Sequence, residues 1–390
     1  MLVIISFFRF WGDSYFYGYL ARYLNTLGID NVKLGILLSL IPFMAVIGNL
    51  FISKVGTSFK RSKIIIGVWT IIETSFIMAS GLYTAFWFVV LFDIMCNLCS
   101  NSFYNIFDTF ILPISKRADK TYAFGRMFGT LAYIGGTFTG GLLIEAISYK
   151  YTFLISGSMM LIGGILFFLL KFKDFEDDQE EKKENINRPK YREVFKNKTF
   201  LIYMIATSLF IGAHWAGDNC FALYTGYLNV SSADYGYSFG VAVFMEALFL
   251  FLMSRVKKPA SWKLLLICAA IASIIKDTLL AIPNLNTFVY LAAESLRGVT
   301  YGMILAANLN LMEHILGKRL LRKGFFITIV FDELLAATLD FFMPSIIEKT
   351  SYTAMFTILV CIISVSLIMY LSLKIEPVSY DERTAKAVLR

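Results

Sequence analysis

The stretch YNIFDTFILPISKRADKTYAFGRMFGTLAYIGGTFTGGLLIE, residues 104–145, reads as two apolar segments separated by a short basic turn. Each apolar segment carries one charge close to the turn, Asp108 before it and Arg126 after it. In an antiparallel helical hairpin these two groups lie at nearly the same depth and can pair. Such a pair either binds a ligand or only locks the two helices together, and charge placement alone favours neither interpretation.

The segment after the turn has two distinct faces. Arg126, Thr130 and Tyr133 are spaced i, i+4, i+7 and share one face. The other face carries glycines, which allow helices to approach closely in a membrane: Gly129, Gly136 and Gly140. A carboxylate and a guanidinium beside a hydroxyl and an aromatic ring suit a polyhydroxylated ligand. We therefore predict that Asp108, Arg126, Thr130 and Tyr133 bind substrate.

Composition places the chain in a lipid bilayer. Of its 390 residues 57% are hydrophobic, and the mean hydropathy is +0.67, whereas a soluble domain is about 45–50% apolar. So much apolar surface cannot be buried in water. The five cysteines lie in apolar segments without metal-ligand spacing, and we expect them to pack between helices. No nucleophile or phosphate-binding motif is present, so we predict no enzyme activity, metal or cofactor.

Twelve segments are long enough to cross roughly 30 Å of hydrocarbon. They run over residues 3–27, 33–54, 63–83, 85–113, 122–147, 151–171, 199–228, 235–254, 262–282, 286–315, 324–347 and 351–373. Lysine and arginine concentrate in alternate connections, a pattern that predicts a cell-membrane protein with both termini in the cytoplasm. The net charge of +8 follows from this topology, and we predict no nucleic-acid partner.

A charged linker over residues 173–198 divides the chain into six spans and six spans. We predict an all-α polytopic membrane protein of 12 transmembrane helices: residues 1–172 form one six-helix bundle, residues 199–375 form the other, and residues 376–390 form a cytoplasmic tail. This is the plan of the major facilitator superfamily, which implies a substrate site near the midplane between the halves and access that alternates.

Charges inside the spans are candidates for function because each is costly unless it is paired or faces water. The first span holds Arg9 and Asp13 at i, i+4. The tenth holds Glu294 and Arg297 at i, i+3, where a coupling role and a static pair are equally good interpretations. The remaining candidates lie in spans 7, 8, 9 and 11: His214, Trp215, Asp218, Glu246, Lys276, Asp277 and Asp332.

Some charges are expected to matter less. Lys276 and Asp277 are adjacent, so we expect them to point in different directions and to need different partners. Arg22, Glu145 and Asp340 lie near span ends, where we expect their side chains to snorkel towards water. Glu73 could face lipid only if protonated, and it is not expected to be a site residue.

The phrases FGRMFGTLAY and ILFFLLK, after Asp108 in the chain, resemble spans 5 and 6 of the lactose/oligosaccharide:proton symporters of the major facilitator superfamily. The phrases GYSFGVAVFMEALFLFL and LAAESLRGVTYGMILAAN resemble spans 8 and 10 of the same clade, which includes nucleoside and phenylpropionate symporters. The resemblance implies that Asp108, Arg126 and Glu246 contact substrate, with Tyr133 where an aromatic residue stacks on the sugar.

The chain also departs from that clade. The family's histidine and glutamate of span 10, central to proton coupling, fall on Arg297 and Thr300. The span 7 acid is approximated by Asp218, but the lysine of span 11 that would pair with it falls near Asp332. Lys276 is the nearest cation to the family's span 9 arginine. The resemblance therefore implies transport more firmly than it implies proton coupling.

Our working hypothesis is a monomeric, proton-coupled symporter of a small polyhydroxylated solute such as a sugar or oligosaccharide. Substrate would bind Asp108, Arg126, Thr130, Tyr133, His214, Trp215, Asp218 and Glu246. Coupling would involve Glu246, Glu294, Arg297, Lys276, Asp277 and Asp332. The alternatives are a nucleoside-type carrier, an exporter on the same fold, or a membrane receptor or lipid-handling protein that carries no solute.

Overall fold

The structure is a computed structural model that describes residues 2–55, 59–117, 122–169, 191–253, 256 and 258–375. Within these ranges it does not describe the side chains of residues 2, 52–55, 59–62, 101–102, 104–106, 108–117, 122–127, 259 and 318. Statements below about what is present or absent concern the described part only.

All regular secondary structure among the described residues is helical. Its elements are α1 Leu2–Phe16, α2 Leu20–Thr26, α3 Asn31–Val55, α4 Phe59–Ser80, α5 Phe86–Arg117, α6 Tyr122–Leu169, α7 Tyr191–Val194, α8 Lys198–Tyr227, α9 Ser232–Met253, α10 Pro259–Ala281, α11 Thr287–Lys349 and α12 Tyr352–Ser372. Seven segments are long and apolar enough by themselves to cross a membrane. Several of the others carry the buried charges discussed below.

Two long helices each cross twice, because a residue with positive φ breaks them. Ser148 (φ 75°) interrupts α6, and Gly317 (φ 71°) interrupts α11. Glycine adopts this conformation without steric cost, whereas serine does not. Together α1 and α2 form the first crossing, and α7 is too short to cross. The result is twelve crossings in two sets of six, which confirms the predicted all-α fold.

We call the end of the bundle that carries Ser148 and the turns at 27–30, 228–231, 282–286 and 350–351 the distal end. The first of these turns is held by Asp30, whose carboxylate accepts a hydrogen bond from the backbone of Lys33 at 2.9 Å and pairs with its ammonium at 2.7 Å. These hydrogen bonds lower the pKa of the Asp30 carboxyl. By the charge pattern of the sequence, the distal end is predicted to face outwards.

Glycines bring α1 and α2 against the first half of α6, as their pattern predicts. A Cβ added at Gly129 would lie 2.8 Å from the Phe10 ring, and one at Gly136 would lie 2.9 Å from the Trp11 carbonyl oxygen. The second half of α6 is approached in the same way by Gly12, where a Cβ would lie 2.8 Å from the Ser156 carbonyl oxygen. Backbone contact therefore replaces side-chain packing in the first half of the molecule.

A buried ion pair joins α1 to α4. The Arg9 guanidinium donates to both Glu73 oxygens, at 2.7 and 2.9 Å, and neither side chain is exposed. Arg9 also lies 3.5 Å from Asp13, which confirms their predicted pairing, and Tyr17 donates to Glu73 at 3.0 Å. Glu73 does not face lipid: its charge is compensated inside the bundle, because α1 presents a guanidinium at the same depth.

The two halves meet along seams between α3 and α11 and between α6 and α9. At the distal end, Arg22 of α2 donates to the Thr225 hydroxyl at 3.0 Å and to the Val230 carbonyl oxygen. Glu145 of α6 accepts from the Ala233 backbone N–H at 2.9 Å. Hydrogen bonds between side chains of one half and the backbone of the other therefore hold this end together.

The expected snorkelling was wrong for two of the three charges near span ends. Arg22 and Asp340 are buried, and Asp340 accepts from Asn219 at 3.0 Å. Both side chains have polar partners inside the protein, so they do not extend towards water. Glu145 remains exposed.

Two smaller features differ from expectation. Cys96, Cys99 and Cys220 are buried as predicted, but Cys268 and Cys361 are exposed on the bundle surface, because α10 and α12 each present one face outwards. The end of the predicted linker forms α7, which packs against α11 with Val194 fully buried. The rest of the linker, residues 173–190, lies outside the described residues.

The contact between Gly12 and Ser156 predicts a position-specific loss of stability. Gly12→Ala forces a methyl group against a backbone oxygen that cannot move away, and overpacking of this kind costs about 1–3 kcal/mol. Gly67→Ala is the matched control, because its Cβ would lie 3.3 Å from the ring of Phe168, a flexible and exposed side chain. We expect a lower melting temperature in detergent for Gly12→Ala only; equal melting of the two variants would contradict the packing argument.

The ion pair between Arg9 and Glu73 predicts a strong asymmetry between single and combined variants. Glu73→Gln leaves the buried Arg9 guanidinium with only Asp13, 3.5 Å away, as counterion, and breaking a buried pair costs about 3–5 kcal/mol. Arg9→Met combined with Glu73→Met and Asp13→Asn removes all three charges and should recover most of that loss. Thermal melting of purified protein measures both effects, with Glu348→Gln, at an exposed position, as control. Glu73→Gln as stable as Glu348→Gln would show that the pair is not holding the bundle.

Candidate functional site

Four charged side chains of the second half lie close together, although they come from the three helices α8, α9 and α11. Arg297 of α11 donates through Nε to Asp218 of α8, with N to O distances of 2.7 Å from both Nε and Nη2. The same guanidinium lies 3.9 Å from Glu246 of α9 and 3.9 Å from Glu294 of its own helix. We call Arg297, Asp218, Glu246 and Glu294 the ionic centre. The predicted pairing of Glu294 with Arg297 is confirmed.

Several polar atoms of the ionic centre lack a hydrogen-bond partner in the described structure. Arg297 Nη1, Asp218 Oδ1 and Glu294 Oε2 are buried without a hydrogen-bond partner among the described residues. Asp218 alone makes close contact with the guanidinium, while Glu246 and Glu294 lie at the limit of ion pairing. One cation therefore serves three carboxylates, so a small movement of Arg297 changes its partner.

Aromatic rings surround the ionic centre. The Arg297 guanidinium lies 4.8 Å from the centroid of Phe239, which is stacked on Tyr235 at 6.0 Å with 4° between the ring planes. His214 lies between two rings: Tyr301 at 5.1 Å and Phe210 at 6.1 Å, both nearly parallel to it. Both His214 nitrogens are buried and have no hydrogen-bond partner in the described part of the chain. This stack fixes the imidazole plane and leaves its two nitrogens available to a ligand or water.

Lys276 and Asp277 form a second buried pair beside the ionic centre. Their ammonium and carboxylate groups lie 3.1 Å apart, although they are not aligned as a hydrogen bond. The expectation that adjacent residues need different partners was therefore wrong: the long lysine side chain bends back to its neighbour. A Cβ added at Gly217 would lie 3.6 Å from the Lys276 ammonium, so this cation points towards α8.

Tyr133 connects the two halves at the level of the ionic centre. Its ring packs on the Phe10 and Phe107 cluster of the first half and on the cluster of Ile134, Phe239 and Val243 at the seam. Its hydroxyl lies within electrostatic reach of Asp13 on one side and of Arg297 on the other. Tyr133 thus contacts side chains of both halves, and its role in substrate binding stays a prediction.

The remaining predicted site residues have no contact with the ionic centre among those described, or have side chains outside the described residues. Asp332 accepts from the Ser208 hydroxyl at 2.6 Å, and Trp215 packs against the main hydrophobic core. Thr130 is half-buried on α6. Asp108 and Arg126 lie on α5 and α6, but their side chains are outside the described residues, so their pairing stays a prediction.

Four aromatic residues of the site were missed by sequence reasoning: Phe210, Tyr235, Phe239 and Tyr301. The signal was present in the helical spacing. Tyr235 and Phe239 are one turn apart and share a face of α9 with Glu246, and Tyr301 follows Arg297 by one turn on α11. In a chain with 37 phenylalanines and 21 tyrosines, such a spacing becomes informative only when a charge lies on the same face.

The site carries more acid than base. The ionic centre and the Lys276–Asp277 pair together hold two cations and four carboxylates, all on α8, α9, α10 and α11. Glu294 and Asp277 are buried, and Asp218 and Glu246 are half-buried. Four ionised carboxylates in such a place outnumber the two cations, which is costly, and bound protons or a cationic group would offset the excess charge. No group of three or more metal-ligating side chains occurs among the residues with described positions. Protons and hydrogen-bonding solutes suit this arrangement.

Comparison with known proteins agrees with the fold. Residues 1–332 match the sequence model of the MFS_1 like family. The uncharacterized transporter YwbF of Bacillus subtilis is 22% identical over 311 residues, which cover 79% of this chain and 76% of that protein.

Solved structures with the same fold have low sequence identity. The nucleoside transporter NupG has a TM-score of 0.75 at 15% identity, covering 95% of this chain and 98% of NupG. The xylose transporter XylE of E. coli, in an inward-open conformation, has a TM-score of 0.74 at 13% identity and covers 99% and 98%. The twelve crossings and the match over residues 1–332 lead to one conclusion: this chain belongs to the MFS_1 like family and is a transporter of the major facilitator superfamily.

Proposed function

We propose that the protein is a secondary active transporter that takes up a small polyhydroxylated solute, a sugar or oligosaccharide, together with protons. The observation that carries this proposal is the excess of carboxylates around Arg297, of which Glu294 is buried while Asp218 and Glu246 are half-buried. A neutral solute does not offset that charge, whereas protons do. We further propose that the protein works as a monomer in the cell membrane, with both termini in the cytoplasm and a polar linker between the two bundles.

Substrate would bind between the halves. Asp108, Arg126, Thr130 and Tyr133 would contact it from the first half, and Glu246 with the free edge of His214 from the second. Hydroxyl groups both donate and accept, so they can pair with carboxylate, guanidinium and imidazole in one site. A solute held by both halves favours the closed arrangement over either open one, and this difference in affinity drives the conformational change.

Coupling would depend on how Arg297 is shared. A proton on Glu294 or Glu246 removes one competitor for the guanidinium, which then stays on Asp218 at 2.7 Å. Loss of that proton lets the guanidinium move towards the newly charged carboxylate, which lies 3.9 Å away. Lys276 and Asp277 would balance the remaining charge. Asp332, bound to Ser208 away from the centre, takes no part in this scheme.

A nucleoside is the second candidate substrate. The specific observation in its favour is the parallel stack of Tyr301, His214 and Phe210, with 9° and 17° between neighbouring planes. A base can stack on a flat aromatic ring, and of these three rings Tyr301 is the one that is only half-buried. The imidazole nitrogens, which have no hydrogen-bond partner among the described residues, can bind a donor or acceptor of the base once the site opens. The fold likeness to NupG, which is named a nucleoside transporter, agrees with this candidate.

Replacement of Glu294 tests proton coupling in proteoliposomes. Glu294→Gln keeps the size of the side chain but cannot exchange a proton, so we expect exchange of labelled solute across the membrane to continue while accumulation driven by an imposed pH gradient is lost. Glu348→Gln is the matched control, because Glu348 is exposed near the end of α11, and it should accumulate solute normally. Accumulation by Glu294→Gln at the rate of the unmodified protein would remove Glu294 from coupling. Uptake by the unmodified protein that ignores both the gradient and protonophores would remove proton symport.

Binding tests separate the substrate classes. Asp108→Asn and Arg126→Ala should each weaken binding about tenfold or more, the loss expected when a hydrogen bond to a charged group is removed. Thermal-shift titration with a panel of sugars and nucleosides measures this. Tyr301→Leu should weaken nucleoside binding but leave sugar binding nearly unchanged. Normal binding by both Asp108→Asn and Arg126→Ala would contradict the proposed site.

A further inference from the structure

Arg22 closes the distal seam without an acidic partner. Its guanidinium, contributed by the first half, donates to the Thr225 hydroxyl at 3.0 Å and to the Val230 carbonyl oxygen, and it lies 5.3 Å from the centroid of the Tyr235 ring. None of these partners is a carboxylate, and Arg22 is 8% exposed. Hydrogen bonds to a hydroxyl and a carbonyl are easier to break than a buried ion pair. We call this group of contacts the Arg22 clamp.

A continuous row of side chains runs from the Arg22 clamp to the ionic centre. Tyr235 lies under the Arg22 guanidinium and stacks on Phe239 at 6.0 Å, with the ring planes 4° apart. Phe239 in turn lies 4.8 Å from the Arg297 guanidinium. Two cations therefore rest on the two ends of one aromatic stack, which is contributed by successive turns of α9.

The stack is anchored across the halves as well as along α9. The Tyr235 hydroxyl donates to the Gly18 carbonyl oxygen of the first half at 3.1 Å. Both Tyr235 and Phe239 are buried, and Phe239 belongs to the apolar cluster that includes Ile134 of α6. A ring in such packing cannot tilt without moving its neighbour, because cores are close-packed.

We propose that Tyr235 and Phe239 are positioning residues that couple the ionic centre at Arg297 to the Arg22 clamp. When Arg297 changes carboxylate, its guanidinium leaves or shifts on the Phe239 face. The ring follows, Tyr235 follows with it, and the Arg22 clamp at the distal seam loosens. The two-state element is the seam itself, which is either held by the clamp or separated. The inference rests on alternating access but not on the identity of the solute or of the coupling ion.

Hydrogen–deuterium exchange of the full-length protein in lipid nanodiscs tests this coupling directly. The readout is the backbone of residues 225–235, which carries Thr225, Val230 and Tyr235. Arg22→Ala should accelerate exchange there by removing the clamp. Arg297→Lys keeps the charge but loses the flat guanidinium face, and we expect it to accelerate exchange in the same residues by about two- to thirtyfold, the range typical of coupled positions.

The decisive comparison repeats Arg297→Lys in a Phe239→Leu background. The leucine keeps an apolar side chain but has no ring face, so we expect Arg297→Lys to leave the exchange of residues 225–235 unchanged there. Phe244→Leu is the matched control: Phe244 lies on the same helix but is 50% exposed, and the effect of Arg297→Lys should persist. An equal effect of Arg297→Lys with and without the Phe239 ring, or no effect in either, would overturn the proposal.

Two further measurements keep the outcome interpretable. Exchange in α12, Tyr352–Ser372, should stay unchanged in every variant. An increase there as well would mean that the variant has lost its fold. In that case Tyr235→Phe serves as a milder variant. That change keeps the ring and removes the hydrogen bond to Gly18, so it should loosen the seam while the response to Arg297→Lys survives. Loss of that response would contradict a ring-mediated coupling. The flux assays test a separate claim. If exchange shows that the ionic centre and the Arg22 clamp are coupled but a pH gradient drives no uptake, proton symport is refuted and the coupling through Tyr235 and Phe239 is not.

Discussion

A buried charge in a membrane protein must be compensated by its neighbours, and the two halves of this transporter meet that constraint differently. In the first half Arg9 meets both oxygens of Glu73 and is fully buried. In the second half Arg297 is shared by three carboxylates and leaves a donor and two acceptors without partners in the described structure. A satisfied pair resists change, whereas a cation with several nearly equivalent partners can be redistributed at little cost. The first arrangement suits a scaffold and the second a switch.

The glycine-rich seams make such a switch mechanically possible. Where α3 meets α11 and α6 meets α9, glycines such as Gly35 and Gly141 bring backbones into contact. Close backbone contact of this kind lets helices move past one another as rigid bodies. The closed distal end then depends on a few polar contacts, chiefly those of Arg22 and Glu145.

The fold is shared with transporters that have almost no sequence in common with this chain. NupG and XylE superimpose closely at 15% and 13% identity, so the architecture says little about the cargo. The local chemistry is more informative. Asp218 pairs with Arg297 of span 10, where the resemblance to the lactose-type symporters implied a lysine of span 11 as its partner.

The sequence by itself determined the class, the twelve crossings, the glycine face of α6 and the short-range pairs Arg9–Asp13 and Glu294–Arg297. Those features depend on hydropathy and helical periodicity, which act within one helix or between adjacent ones. Only the tertiary structure decided that Glu73 meets Arg9, that Arg22 clamps the opposite half, and that Arg297 binds Asp218. The partners in these three contacts are 64, 203 and 79 positions apart in the sequence, in that order. The depth and rotation of packed helices set such contacts, and neither can be read from the periodicity of a single chain segment.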